Sequence, residues 1–509
     1  MDFSVSKGNI SNEVTVLDTN ISQNVDSDIA LDEYVEDIAS VLNCSITVCI
    51  DSAVFSDKRI TVEGYSLIRL LYSSENGALH CYENAVPFSR FADADGVTQS
   101  DCISVHTQTQ YVNCRLINPR RFDVHGNITI SVTVTKIATE QTVFAADGSG
   151  IQLNCSQRQV SNALAVAGKP FLLSEVLELS SELPAIAQIV NISASPQLSE
   201  VRLISGKALL KGEMTVGITY IADSQQGGIV NTEFLLPISQ IVEFENTAEG
   251  QRSIADVSVS GVEYAVRADS TGKIRLIDTS VHSRAKVSVY SDETVSLVTD
   301  AYSTKCNTNN TLKSVELRTL TEQFTDTFLC SSAVPFSAGN VREVLSLSVR
   351  DIECSSQKRE GRLIFSGTLR AGLTVRYAND EIGFIEKQLS FEYPRAVSPA
   401  DIICEKSVRV NASTCIVTSP ESVEVRIELE ISASVFEISR QMLISDIELD
   451  ESTPKAVPTG AITLYYPDGN ESVWEIAKKY NTTVEAIERE NSLENGNIQS
   501  GSMLILPRM

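Results

Sequence analysis

Strict alternation of apolar and polar residues recurs along most of this chain. Met214, Val216, Ile218 and Tyr220 are separated by Thr215, Gly217 and Thr219. Ile128, Ile130, Val132 and Val134 alternate with Thr129, Ser131 and Thr133. Val423, Val425, Ile427, Leu429 and Ile431 alternate with Glu424, Arg426, Glu428 and Glu430, which leaves one face apolar and the other charged. A period of two is that of a half-buried strand. A sheet with one wet side requires it. The stretch DSTGK at 269–273 lies between the runs around Val257 and Val287 and supplies turn-forming residues.

These runs fall into a pattern that occurs three times. ITVEG-YSLIRLLY carries Gly64 and Tyr72, and AVPFS then carries Pro87. ALLKG-EMTVGITY carries Gly212 and Tyr220, followed by Pro237 in LLPIS. LIFSG-TLRAGLTVRY carries Gly367 and Tyr377, followed by Pro394 in EYPRA. The copies lie roughly 150 residues apart, which is the size of a domain and too long for a solenoid period. The pattern predicts β-rich units over 1–150, 151–300 and 301–445. A strand glycine permits a bulge or close packing. The tyrosines read as core residues whose hydroxyls reach the sheet edge. DEYVEDIASVL places Val35, Ile38 and Leu42 at helical spacing, and SSELPAIAQIV has Pro184 near a helix start. Both predict short helices ahead of the strands; VPFSAGNVREVLS matches only in part.

Residues 446–459, DIELDESTPKAVPT, are acidic, contain Pro454 and Pro458, and read as a linker. Beyond them the period changes. Val473, Trp474, Ile476, Ala477 and Tyr480 fall at helical spacing, as do Val484 and Ile487, and ITLYY and MLILP flank these runs. A strand–helix–helix–strand module over 460–509 is the expectation.

Composition narrows the partners. The net charge is −25, whereas binding to phosphate relies on Lys and Arg. No Lys/Arg run reaches four residues, and the densest basic stretch is NPRRF around Arg120 and Arg121. Nucleic acid and anionic lipid are therefore not expected as partners. The first residues, MDFSVSKGNI, show no basic segment leading into an apolar one, so no secretory signal is read. No run approaches the ~18 apolar residues of a membrane span. The chain reads as cytosolic, with no membrane insertion. Its 11 cysteines have irregular spacing and no CxxC, which reads as reduced, mostly buried thiols. His80, His106, His125 and His282 are too scattered for a zinc site. No GxGxxG, Walker A, HExxH or GxSxG pattern occurs, and ADGSG at 146–150 lacks the Lys-Ser/Thr of a phosphate loop. With no recurring acid–base constellation, neither an enzyme nor a cofactor or metal is expected.

Residues 462–507 resemble a LysM domain through ITLYY, ESVWEIAKKYNTTVEAIERENSL and IQSGSMLILP. The family usually has Gly-Asp-Thr before Leu-Trp, and this chain has Asn470, Glu471 and Ser472 before Val473-Trp474. That loop borders the glycan groove in peptidoglycan-binding members, so the change weakens a sugar-binding reading. The three β-rich units resemble the SPOCS domain of SipL-type spore coat morphogenetic proteins of endospore-forming bacteria. The best match is 171–243, and such units ahead of a terminal LysM domain are the SipL-type arrangement.

The resemblance implies a mainly β fold, with three tandem SPOCS-like units and a small α+β (βααβ) LysM domain. It implies a non-enzymatic scaffold or adaptor in the mother-cell cytoplasm, at the forespore surface. The LysM domain would dock to the coat basement-layer ATPase, with other coat proteins as further partners. A peptidoglycan (N-acetylglucosamine) binder is the alternative. The LysM residues implied for partner or glycan binding are Ile462, Asn470, Glu471, Ser472, Val473, Trp474, Asn491, Asn497 and Ile498. Trp474 has two readings, as packing within a small module and as an interface anchor.

Overall fold

The computed structural model describes residues 3–507 except 149, 225–227, 246, 337–339, 399, 456–462, 469–470, 494–497 and 499–502. The alternating segments are strands, many far longer than the usual ~5–6 residues. The first unit runs β1 (Ser4–Ala30), β2 (Ser40–Ser56), β3 (Arg59–Ser73), β4 (Leu79–Asp93), β5 (Cys102–Asn118) and β6 (Arg121–Asp147). β2–β3–β4 is an antiparallel meander, and in a second sheet β6 lies between β1 and β5. The same order returns twice. The second unit comprises β7 (Ile151–Glu178), β8 (Ile186–Ile204), β9 (Lys207–Ala222), β10 (Ile229–Glu243), β11 (Arg252–Ala268) and β12 (Ile274–Ser303). The third comprises β13 (Cys306–Pro335), β14 (Val341–Arg359), β15 (Arg362–Tyr377), β16 (Ile382–Ala396), β17 (Ile402–Ser419) and β18 (Ser422–Pro454). Their meanders are β8–β9–β10 and β14–β15–β16, and β12 and β18 are the central strands of the other two sheets. The protein is mainly β, as the alternation predicts.

In each unit the two sheets face one another across their alternate residues. Ile128, Ile130, Val132 and Val134 of β6 share a core with Ile60, Val62, Ile68 and Leu70 of β3. Met214, Val216 and Ile218 meet Ile277 and Val281 in the second unit, and Val423, Val425, Ile427 and Leu429 meet Leu369, Leu373 and Val375 in the third. Each such side chain contributes about 1.5–3 kcal/mol by leaving water.

Gly64, Gly212 and Gly367 perform one task. Each sits on the middle meander strand under a carbonyl oxygen of its neighbour, that of Cys49, Gln197 or Glu353, and an added Cβ would fall well inside van der Waals contact with it. Beside each glycine the neighbouring strand slips register, at Ile50/Ser52, Leu198/Glu200 and Arg350/Glu353. The extra residue of a bulge bends the strand toward its partner, and only glycine leaves room for it.

Tyr72 and Tyr220 are buried, and their hydroxyls donate to the carbonyls of Glu36 (3.0 Å) and Pro184 (2.9 Å). This ties the segments before β2 and β8 over the end of each sandwich. Those segments are turns and irregular chain, which corrects the expected helices. Val35, Ile38 and Leu183 fill the core from a loop instead. The partial match ahead of β14 is likewise strand up to Pro335 and again from Val341. In the third unit the register puts Val375 where Tyr72 and Tyr220 stand, and Ser390 where Pro87 and Pro237 stand. Tyr377 and Pro394 are therefore not the counterparts that the sequence marks indicate.

The first and last strands of each unit pair beyond the sandwich, producing three two-stranded ribbons. β6, β12 and β18 each touch the other two. Ile10, Val160, Val295, Leu297, Val315, Leu317 and Leu443 form one buried cluster among the ribbons, and Val143, Val298, Ala301, Ile444 and Ile447 form another. The meanders also meet in a ring: β4 touches β8, β10 touches β14, and β16 touches β2. Head-to-tail contacts that close in this way leave no repeating edge.

A charged group sits where the units converge. Glu13 of β1, 6 % exposed, pairs with Lys286 of β12 at 2.6 Å and accepts from the Tyr290 hydroxyl at 3.1 Å. Arg318 of β13 donates to the Glu13 carbonyl at 2.8 Å. Burial pushes the Glu13 carboxyl up, but the Lys286 charge and the hydrogen bonds from Lys286, Ser288 and Tyr290 bring it below its ordinary pKa. Glu405 of β17 is held above its ordinary pKa, by burial first and then by the Glu13 charge, with Lys286 and Arg318 opposing.

The acidic segment read as a linker departs from that reading. Through Pro454 it continues β18, with Asp446–Asp450 paired to Asn307–Thr311. Lys455 then donates its backbone N–H to the Lys305 carbonyl at 2.9 Å. Ribbon pairing ties this backbone to β13 and Ile447 packs into the cluster, which outweighs a polar composition. Residues 456–459 lie outside the described residues.

Two outcomes follow for stability. Gly212→Ala must displace the Gln197 carbonyl and should cost about 2 kcal/mol or more; an unchanged urea midpoint would contradict the shared glycine role. Glu405 has a raised folded pKa, so its contribution to stability is present below the ordinary carboxylate value and is lost as pH rises through the folded pKa. Glu405→Gln should therefore be more stable than the parent at pH 8, by on the order of 1 kcal/mol. The gap should close as the pH falls toward 4.5, which thermal melts across that range would read.

Candidate functional site

The terminal module is built from β19 (Thr463–Tyr465), α1 (Val473–Tyr480), α2 (Val484–Asn491) and β20 (Leu504–Leu506), with β19 and β20 antiparallel. Ser472 caps α1 in a reciprocal box: its Oγ accepts from Glu475 N, and the Glu475 carboxylate accepts from Ser472 N at 2.9 Å. Asn481 ends α1 in the left-handed region, and Thr483 caps α2 two residues later. Val473, Ile476, Ala477, Ile487, Leu504 and Leu506 form the core.

Most of the expected groove residues that are described hold the module together. Ile462, Asn470 and Asn497 lie outside the described residues. The Glu471 carboxylate turns inward, accepting from the Tyr465 hydroxyl at 2.6 and 2.8 Å and from Asp468 N at 3.1 Å. The Tyr465 bond, with smaller help from Asp468 and Lys479, keeps that carboxyl below its ordinary pKa. Ser472 is the cap and Val473 is buried. The Asn491 side chain accepts from Ile505 N (2.6 Å) and donates to the carbonyls of Ile505 (2.7 Å) and Ile487 (2.8 Å). It serves β20 as a third strand would. Ile498 packs against the core.

Trp474 faces the β body. Its indole N–H donates to Asp300 Oδ2 at 2.8 Å, and Lys478, one turn further along α1, reaches the same carboxylate at 2.7 Å. The indole meets the Tyr302 ring edge-on, with centroids 4.9 Å apart. Tyr302 is 1 % exposed, and its hydroxyl donates to the Thr482 carbonyl between the two helices at 2.7 Å. Lys455 adds a bond to the Ser303 carbonyl at 2.7 Å. The end of β12 is therefore part of the module's core, and Asp300 and Tyr302 clasp the module to the second unit. Sequence reasoning missed Asp300, Tyr302 and Lys478. The only signal was the spacing of Trp474 and Lys478 on one helix face; nothing local to Asp300 marks it.

Residues 37–117 and 185–267 match the SipL SPOCS domain model, and residues 470–507 match the LysM domain. The chain carries SipL-type SPOCS domains and a LysM domain. No curated protein and no solved structure matches it. Each SPOCS segment begins in the tyrosine-held segment and runs through the meander into the edge strand, β5 or β11. SPOCS and LysM are binding domains without catalytic machinery. Among the described residues, no group of three His, Cys, Asp or Glu side chains could hold a metal ion, and no helix is long and apolar enough to cross a membrane.

Trp474 is the single tryptophan of the chain, so its emission reports the LysM clasp directly. Asp300→Ala removes the acceptor of both Trp474 and Lys478 and should weaken docking by roughly 1–2 kcal/mol. We expect red-shifted emission and stronger acrylamide quenching. Unchanged quenching would mean that the clasp is not held by Asp300.

Proposed function

We propose that this sporulation-related, LysM-bearing protein is a non-enzymatic morphogenetic scaffold of the endospore coat. It acts in the mother-cell cytoplasm at the forespore surface and docks to a coat basement-layer ATPase through its LysM domain. The observation that carries this reading is the clasp. The LysM domain is fixed to the SPOCS body by Trp474, Lys478, Asp300 and Tyr302, so a partner held by one is positioned by the other. Adaptors gain from such preorganisation, because less ordering is required on binding. The net charge of −25 favours a basic protein surface over polyanions.

The alternative is a LysM domain that grips N-acetylglucosamine chains. The inward-turned Glu471 disfavours it, since that carboxylate is occupied by Tyr465 and Asp468. Retention of the full chain on insoluble peptidoglycan and on the immobilised coat ATPase separates the two. We expect retention by the ATPase and release from peptidoglycan. Retention by peptidoglycan alone would overturn the scaffold reading.

A further inference from the structure

An open pocket of about 270 Å³ lies on the seam between the first two units. Val54 and Phe55 of β2, with Asp101 and Ile103 around the start of β5, line it from the first unit. Gly168 of β7 and Arg284 of β12 line it from the second. β12 turns Ala285 and Val287 into the core of its own unit, so Arg284 and Lys286 project from the opposite face, toward the first unit. Lys286 is taken by Glu13. Arg284 is not: among the described residues its guanidinium has neither an ion pair nor a hydrogen bond.

That isolation is unusual in this chain. Acidic residues outnumber Lys and Arg by 66 to 41, and each of the other buried or half-buried arginines described has a carboxylate partner. Taking a cation out of water without a partner is costly. Gly168 keeps the Arg284 guanidinium uncrowded, because a Cβ there would stand 3.3 Å from its Nη1 and 2.9 Å from Cys102 Sγ. We propose that the pocket binds a small apolar monocarboxylate of the aryl-acid class. Its carboxylate accepts from the guanidinium fork of Arg284, and its ring lies against Phe55, Val54 and Ile103.

The lining selects a single charge on an apolar body. Val54, Phe55 and Ile103 offer aliphatic and aromatic surface that a fully hydrated anion cannot use. Arg284 is the one Lys or Arg among the lining residues. Asp101, whose Oδ2 accepts from Thr98 N at 2.8 Å, presents a carboxylate to the same pocket. A dianion such as phosphate would keep one charge unneutralised and meet that carboxylate. The pocket is separate from the LysM clasp. Because its walls come from both units, a bound acid ties β2 and β5 to β7 and β12 and stabilises the folded chain by mass action.

The test is a titration of the full chain with benzoate, and in parallel with phosphate, followed by calorimetry and by thermal melts. We expect saturable one-site binding of benzoate and a melting temperature that rises with its concentration; phosphate should give neither. Arg284→Gln should weaken benzoate by roughly tenfold or more. The same variant should leave the melting temperature without benzoate unchanged, since the guanidinium has no partner to lose. Should it fail to fold, the parent decides by photolabelling: a benzoate carrying a trifluoromethyl diazirine should mark the peptides spanning 53–55 and 99–103, and plain benzoate should compete. No saturable benzoate binding, an equal response to phosphate, labelling confined to other peptides, or parent-like affinity in Arg284→Gln would overturn the proposal.

Discussion

The antiparallel ladder between the first and last strands of each unit is the interaction on which the rest depends. Alternating side chains give every strand a buried face, but they do not decide which strands meet. In each unit the chain leaves the first strand, folds the meander, adds the edge strand and returns alongside its start. Such pairing is distant in sequence, so closure carries a loop-entropy cost that the sandwich core must offset. Once closed, the first and last strands continue past the core as a ribbon whose facing backbone groups pair across the ladder.

The ribbons account for the assembly. The sandwiches touch through their meander edges and through β11 against β2 and β5 against β7; the ribbons add further apolar clusters and the buried pair of Glu13 and Lys286. A buried ion pair contributes little net stability but disfavours other registers, because a shifted ribbon would leave a charge unpaired. The same extension makes a platform. The end of β12 carries Asp300 and Tyr302, which complete the LysM core, whereas the matching end of β18 carries Asp446, paired to Lys7 of the first ribbon. The LysM domain therefore sits on one ribbon of three.

Strand identity was legible because period-two alternation is local. Val423 to Ile431 alternate in the sequence, and every apolar member is fully buried. The role of Gly64, Gly212 and Gly367 was legible in kind, though the carbonyl above each belongs to a neighbouring strand. The expected helices failed because helical spacing over a few residues cannot be told from loop residues filling a core, as Val35 and Ile38 do. The acidic stretch before the LysM domain misled because composition does not reveal a paired ribbon. The clasp was not legible at all: Asp300 and Trp474 meet only through the fold.

Hydrogen exchange along the ribbons tests the central claim most directly, namely that first-to-last strand pairing runs the full length of each unit. Amides of Lys7–Glu13, Arg158–Asn162 and Leu312–Leu317 lie outside the sandwiches but within the ladders. Those among them that donate across the ladder should exchange as slowly as Ile60–Tyr72 in the first sandwich core. Exchange as fast as that of exposed loops would show frayed ends, and with them no platform on which the LysM domain could rest.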